Sequence, residues 1–271
     1  MAMIRRKPQT SATRYQSYLD TKEITKKKPE RRLVSSLKRG SGRNVYGRIT
    51  VRHRGGGAAR RYRMIDFGRV ERDVLGKVLS IEYDPNRNVR IALIAYETGA
   101  KRYILLPQDL QIGDLVMAGE KAEAKVGNAL PLRNIPVGFM VHNVEIRPKS
   151  RGTFARSAGT AVQIMGKTDG YVTLKMPSGE IRMVPQDSWA TVGTLGTAEY
   201  KNILWGKAGR MRHRGIRPSV RGMAMNPVDH PHGGGEGRSK SGSHPQSPWG
   251  KGAKGTRTRR RKNALIIKRR K

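Results

Sequence analysis

"KVLSIEYDPNRNVRIALIAYETGAKRYILLP", residues 77–107, decides the fold class. Val78 and Ser80 alternate with Leu79, Ile81 and Tyr83, the period of two that a half-buried strand requires. "DPNRN" (84–88) breaks that run with turn-forming residues, and "VRIALIAYE" (89–97) begins a second strand. "ETGAK" (97–101) turns into "KRYILLP" (101–107), and "GDLVMAGE" (113–120) follows. Four β-rich runs with hairpin-length connections in about 45 residues predict a small antiparallel barrel.

A second set lies beyond the hinge-like "KAEAKVGNALP" (121–131). "FMVHNVEI" (139–146), "TAVQIMGK" (160–167), "YVTLKMP" (171–177) and "EIRMVP" (180–185) are separated by glycine- and proline-rich turns, with "TDGY" and "PSGE" as hairpin signals. The chain therefore reads as mostly β, two small barrels in series over 61–124 and 125–200. Helix is scarce. "TAEYKNILWGKAGRMR" (197–212) is one candidate, weakened by Gly206.

Charge divides the 271 residues in another way. Residues 1–63 carry 19 Lys/Arg and 3 Asp/Glu, residues 64–200 carry 17 and 15, and residues 201–271 carry 20 and 2. A nearly neutral middle lies between two strongly basic ends, and the net charge is +36. Such an excess repels itself and calls for a polyanionic partner. The C-terminal stretch 201–271 holds 12 Gly and 5 Pro and only two aromatics, Trp205 and Trp249. It cannot bury enough apolar surface to offset its ordering entropy alone. The basic N-terminal residues 1–60 and the extension 201–271 are thus expected to be extended arms that order on a partner.

Other classes fare poorly. There is no cysteine, so disulfides and cysteine-ligated zinc are excluded. The longest apolar run, "IALIAY" (91–96), is far too short to span a membrane, and no apolar core follows the basic amino end. A soluble, intracellular chain is expected. "AVQIMGKT" (161–168) matches a relaxed phosphate-loop pattern, but its Val, Gln, Ile and Met interior reads as strand. Asp229 beside His230 could orient a general base, yet no serine, threonine or cysteine nucleophile is positioned by the sequence. Zinc held by Asp229, His230 and His232 lacks a marked fourth ligand.

Basic motifs are more informative. "RITVRHRGGGAARRYR" (48–63) holds Arg48, Arg52, His53, Arg54, Arg60, Arg61 and Arg63 around Gly55, Gly56 and Gly57. Arginine forks bind phosphate bidentately, and glycines let a backbone approach closely. "RMRHRGIRPSVRG" (210–222) repeats the idea with Arg210, Arg212, His213, Arg214, Arg217 and Arg221. Both stretches contain Arg-His-Arg-Gly, at 52–55 and 212–215.

"PSVRGMAMNPVDHPHGGGEG" (218–237) resembles the signature of the family of large-subunit ribosomal protein two, bacterial type, also found in organelles. "GRITVRHRGGG" (47–57), "EYDPNR" (82–87), "RYILLP" (102–107), "NIPVGFMVHNVE" (134–145) and "ARSAGT" (155–160) extend the resemblance over nearly the whole chain. One departure is Ala58 and Ala59, where many relatives place His and Lys. The resemblance implies an OB-like barrel followed by an SH3-like barrel. It also implies a non-enzymatic binder of large-subunit rRNA near the peptidyl transferase centre, supporting subunit association, tRNA binding and peptide-bond formation. Implied partners are that rRNA, the small subunit through an intersubunit bridge, and neighbouring ribosomal proteins, with no membrane. The implied location is the cytoplasmic or an organellar ribosome, with no cofactor beyond magnesium shared with the RNA. The loop reaching the functional RNA corresponds to Asn226 through Gly237, and Asn226, His230, His232, Gly233, Gly234, Gly235 and the following Arg238 are its expected RNA-binding residues. Its prolines are expected to keep it extended without internal hydrogen bonds, and its glycines to thread between RNA backbones. Asp229 and Glu236 are expected to pair with arginines or reach a cation.

Overall fold

The computed structural model describes residues 3–237, 242–256, 261 and 263–270. Two compact units emerge: a larger one of residues 1–38, 59–208 and 264–271, and a smaller one of 39–58 and 209–263.

The larger unit begins with β1 (Met3–Arg5), the one-turn helix α1 (Ser11–Arg14) and β2 (Ser17–Leu19), which pairs antiparallel with β1. β3 (Val34–Ser36) pairs with β4 (Arg61–Arg63). β5 (Gly76–Glu82), β6 (Ile91–Tyr96), β7 (Lys101–Leu105) and β8 (Leu115–Val116) form an antiparallel sheet in the order β7-β6-β5-β8. These are the four runs read around 77–120. A second sheet collects β9 (Ala129–Pro131), β10 (Met140–His142), β11 (Val162–Thr168), β12 (Tyr171–Lys175), β13 (Ile181–Pro185), β14 (Trp189–Val192) and β15 (Ile266–Lys268). Its order is β15-β13-β12-β11-β10-β14-β9, every pair antiparallel. Both sheets curl, and the architecture is an OB-like barrel followed by an SH3-like one.

Each barrel has its own core. Val78, Ile94, Ile104 and Val116 pack in the first. Val141, Ile164, Leu174, Val184 and Val192 fill the second. Val89, Leu105 and Leu195 make a third cluster, beside the bridge from Pro107 to Leu195. Burying each such aliphatic side chain stabilises the fold by about 1.5–3 kcal/mol. One buried polar group at the first barrel is doubly paired. The Tyr103 hydroxyl donates to Glu82 Oε2 at 2.8 Å and accepts from the Glu30 N–H at 2.7 Å. Burial pushes the Glu82 carboxyl above its ordinary range, against the opposing hydrogen bonds from Tyr103 and Ser80.

Four local features differ from the sequence reading. In β5 the register shifts between Val78 and Ser80, so Val78, Ser80 and Ile81 face inward while Leu79 and Tyr83 are exposed. An extra residue in one strand resets the alternation that hydrophobicity alone suggests. The candidate helix over 197–212 is two pieces, a 3₁₀ turn at Ala198–Asn202 and the short helix α2 (Ala208–His213). Gly206 separates them with φ +74°, and a Cβ there would lie 2.3 Å from Gln16 Cγ. The basic ends also divide: residues 1–38 cluster with the barrels and 39–58 with the smaller unit. "ALII" in the C-terminal charge run supplies β15, an edge strand on β13, with Met183 N–H donating to Leu265 O at 2.7 Å. The phosphate-loop-like "AVQIMGKT" lies in β11 and the residue before it, and it continues by a hairpin into β12.

Candidate nucleic-acid interface

The smaller unit holds 19 Lys/Arg against two acidic residues, Asp229 and Glu236. Its two sequence segments meet through the repeated motif. Gly55 N–H donates to Gly215 O at 3.0 Å, Ala58 N–H to His213 O at 2.8 Å, and Arg217 N–H to His53 O at 3.0 Å. Arg54 and Ile216 form an antiparallel bridge. The two Arg-His-Arg-Gly stretches, about 160 residues apart in sequence, are thus partners across one ladder.

Glycine makes this approach possible. Gly55, Gly56 and Gly57 all have positive φ, and a Cβ on Gly57 would stand 2.7 Å from Gly215 N and 2.8 Å from His213 O. Arg39, absent from the sequence-predicted set, donates to Gly56 O at 3.1 Å and to Ala58 O, fixing the far side of the triple glycine. Backbone therefore occupies the centre and side chains are displaced outward. Arg48, Arg52, His53, Arg54, Arg212, His213, Arg217 and Arg221 are exposed, and Arg210 and Arg214 are half-buried. A ladder edged with guanidinium forks suits a run of phosphates.

The stretch 225–237 is a closed loop, which corrects the expectation of an extended one. Asp229 and His230 N–H donate to Asn226 O at 3.0 and 3.3 Å, Gly233 N–H to His230 O at 2.8 Å, and Gly234 N–H to Met225 O at 3.1 Å. Its glycines meet the loop itself: a Cβ on Gly233 would lie 2.3 Å from Asn226 O, and one on Gly234 2.7 Å from Pro227 Cγ. His230, a residue of the expected RNA-facing set, is 8% exposed, its ring seated on Gly222 and its Nδ1 accepting from the His232 N–H at 3.0 Å. His232 Nε2 lies 3.1 Å from the Gln246 N–H, which donates to it. Both rings spend a nitrogen on backbone, so they shape the loop; among the described residues no group of three His, Cys, Asp or Glu is placed to hold a metal. Asn226, Asp229, Gly235 and Glu236 are exposed and Gly234 is half-buried, while Arg238 lies outside the described residues.

Arg60, Arg61 and Arg63 belong to the larger unit. Arg60 donates to Pro85 O at 3.0 Å, and Arg61 is exposed, its carbonyl taking Asn86 Nδ2 at 2.7 Å. Arg63 departs from the predicted set. It is buried, with its guanidinium 3.8 Å from Asp84, so its charge is committed inside the fold. Two arginines that the sequence reading passed over stand nearby. Arg87 and Arg156 both approach the Phe67 ring, at 5.1 and 4.4 Å, beside a cleft of about 610 Å³ with Asn86, Asn88, Ser157 and Thr160 in its wall. The signal was present, since "EYDPNR" and "ARSAGT" carry these residues.

Two family models match the chain. Residues 30–118 match "Ribosomal Proteins L2, RNA binding N-terminal domain" and residues 125–250 match "Ribosomal Proteins L2, C-terminal domain". Together they span the basic ladder, both barrels and the histidine loop. The chain belongs to the ribosomal protein L2 family, RNA-binding structural constituents of the large ribosomal subunit.

Proposed function

We propose that the smaller unit is the principal rRNA-binding surface of this chain, with the cleft beside Arg87 and Arg156 as a second contact. The carrying observation is the ladder of the two Arg-His-Arg-Gly segments, which presents exposed Arg48, Arg52, Arg54, Arg212, Arg217 and Arg221 around a backbone-only centre. Arg210, Arg214 and Arg238 add to that charge, His53 and His213 add ring nitrogens, and Arg60 and Arg61 add charge on the larger unit. Phosphate neutralisation supplies affinity, and the fit of the glycine-rich backbone supplies shape.

On this reading the protein sits near the peptidyl transferase centre in the large subunit. It supports subunit association through a bridge to the small subunit, tRNA binding and peptide-bond formation, and it touches neighbouring ribosomal proteins. The 225–237 loop faces the functional RNA through Asn226, Val228 and Asp229, all exposed. Magnesium shared with rRNA phosphates is the ion that exposed Asp229 and Glu236 suit. The role is positional rather than enzymatic, and His230, buried in its own loop, acts as a spacer.

Sedimentation of a cell extract at moderately high salt, with the chain followed by blot, tests the assignment. Co-migration with the large subunit that is lost on RNA digestion is expected; migration as free protein refutes it. His230→Ala in assembled subunits tests the spacer role. Normal single-turnover peptide transfer is expected once assembly is complete, and loss of transfer without an assembly defect would make the imidazole a participant.

A further inference from the structure

The four most exposed large hydrophobic side chains among the described residues are Val45 (91%), Val228 (90%), Tyr46 (85%) and Trp249 (78%), and all four lie in the smaller unit. Water alone gives no reason to hold such groups outward on a scaffold this basic. Three of them, Val45, Tyr46 and Trp249, sit on two tips built to one plan.

In the first tip, Asn44-Val45-Tyr46-Gly47-Arg48, Arg43 and Ile49 form an antiparallel bridge. Asn44 N–H donates to Arg48 O at 2.9 Å, and Gly47 N–H to Asn44 O at 3.0 Å. Asn44 Oδ1 accepts from the Arg48 N–H at 3.0 Å and from the Tyr46 N–H at 3.0 Å. In the second tip, Ser247-Pro248-Trp249-Gly250-Lys251, the bridge is Gln246 to Gly252. Ser247 N–H donates to Lys251 O at 2.7 Å, Gly250 N–H to Ser247 O at 2.9 Å, and Lys251 N–H to Ser247 Oγ at 3.2 Å. The glycines match as well, with φ +76° at Gly47 and +75° at Gly250. Each is a three-residue hairpin turn with glycine at the left-handed position.

The shared plan places a polar residue that ties the turn, then an apolar residue, an aromatic, a glycine and a cation. The ring is presented to solvent by a closed hydrogen-bonded frame, next to a positive side chain. That combination fits a nucleotide: an aromatic face for a base and a cation for its phosphate. A protein neighbour would favour fewer charges around the ring. We infer that the tips at Tyr46 and Trp249 are paired stacking posts, each seating an unpaired RNA base on its ring while Arg48 or Lys251 holds the adjoining phosphate. The inference rests on the RNA-binding reading of the smaller unit and names which side chains read unstacked bases.

The test uses the full-length chain and in vitro transcribed large-subunit rRNA in filter binding, with thermal midpoints measured alongside. Tyr46→Ala and Trp249→Ala are each expected to weaken binding about 5- to 150-fold, with midpoint and salt slope unchanged. Tyr46→Phe and Trp249→Phe should restore most of the affinity, and Tyr46→Leu and Trp249→Leu should not. Arg48→Ala and Lys251→Ala should instead lower the salt slope by about 0.7–0.9 each. Wild-type affinity in both alanine variants, or full rescue by leucine, would overturn the stacking posts and leave the tips to a protein neighbour. Failure of the unsubstituted chain to bind the rRNA would remove the RNA reading itself, a separate result visible before any variant is made.

Discussion

The larger and smaller units obey opposite rules. In the larger, apolar side chains fill two barrel cores and carboxylates find arginines, as Asp84 does with Arg87 at 3.0 Å and as Arg133 does with Glu120 and Asp187. In the smaller, aromatic and aliphatic side chains point outward, and the described core is backbone against glycine. The larger unit is folded for water, and the smaller carries the charge on which the proposed rRNA contact rests. Stability and RNA affinity should therefore respond to different residues.

Core substitutions should give the largest stability loss. Ile94 is fully buried in the first barrel, and Ile94→Ala is expected to cost about 2–5 kcal/mol. Urea unfolding would read that loss, while the salt slope of rRNA binding by the folded fraction stays the same. A changed slope would show that the two units are not separable in function.

Acid should reach the larger unit through His142. It is buried on β10, Nδ1 lies 2.8 Å from Gly193 O, and burial holds its pKa down at about 4. As pH falls, the unfolded chain takes up that proton first, near the free-imidazole value of about 6.5. The contribution is complete above about pH 6.5 and is lost between there and about pH 4, roughly 3 kcal/mol in all. Unfolding midpoints at pH 7 and pH 4.5 should differ more in the wild type than in His142→Gln.

Gly57→Ala works in the other unit. Left-handed backbone costs an L residue about 1–2 kcal/mol, and the new Cβ meets the 213–215 backbone. The expected result is about a tenfold loss of rRNA affinity with the barrel transition unmoved. Smallest of all is Lys125→Ala. Its pair with Glu123 is about 70% exposed on both sides, and less than about 0.5 kcal/mol should change.

Legibility followed the same divide. Barrel strands were readable because water imposes a period of two and turn residues punctuate it. Leu79 escaped that logic, since a bulge leaves no mark in hydrophobicity. β15 was hidden because three residues inside a charge run have too little pattern to show an edge strand. In the smaller unit the arginines and glycines were readable as types, but their pairing was not. Nothing local says that 52–55 lies against 212–215, or that Gly233 and Gly234 pack closely on their own loop. Arg63 was misread for a related reason: its partner Asp84 is distant in sequence, and the segments meet through contacts no local pattern marks, Arg60 to Pro85 O and Asn86 to Arg61 O.

A matched pair of charge removals tests the central claim most directly. One variant replaces Arg52, Arg54, Arg212 and Arg217 with Gln in the smaller unit, and the other replaces Lys77, Lys101, Lys149 and Lys175, all exposed on the larger unit. Both remove four positive charges from the same chain. Binding to large-subunit rRNA across a salt series should show the slope falling by about 3 in the first variant and hardly moving in the second. Equal losses would mean that net charge alone draws the RNA, and that the paired motifs form no interface.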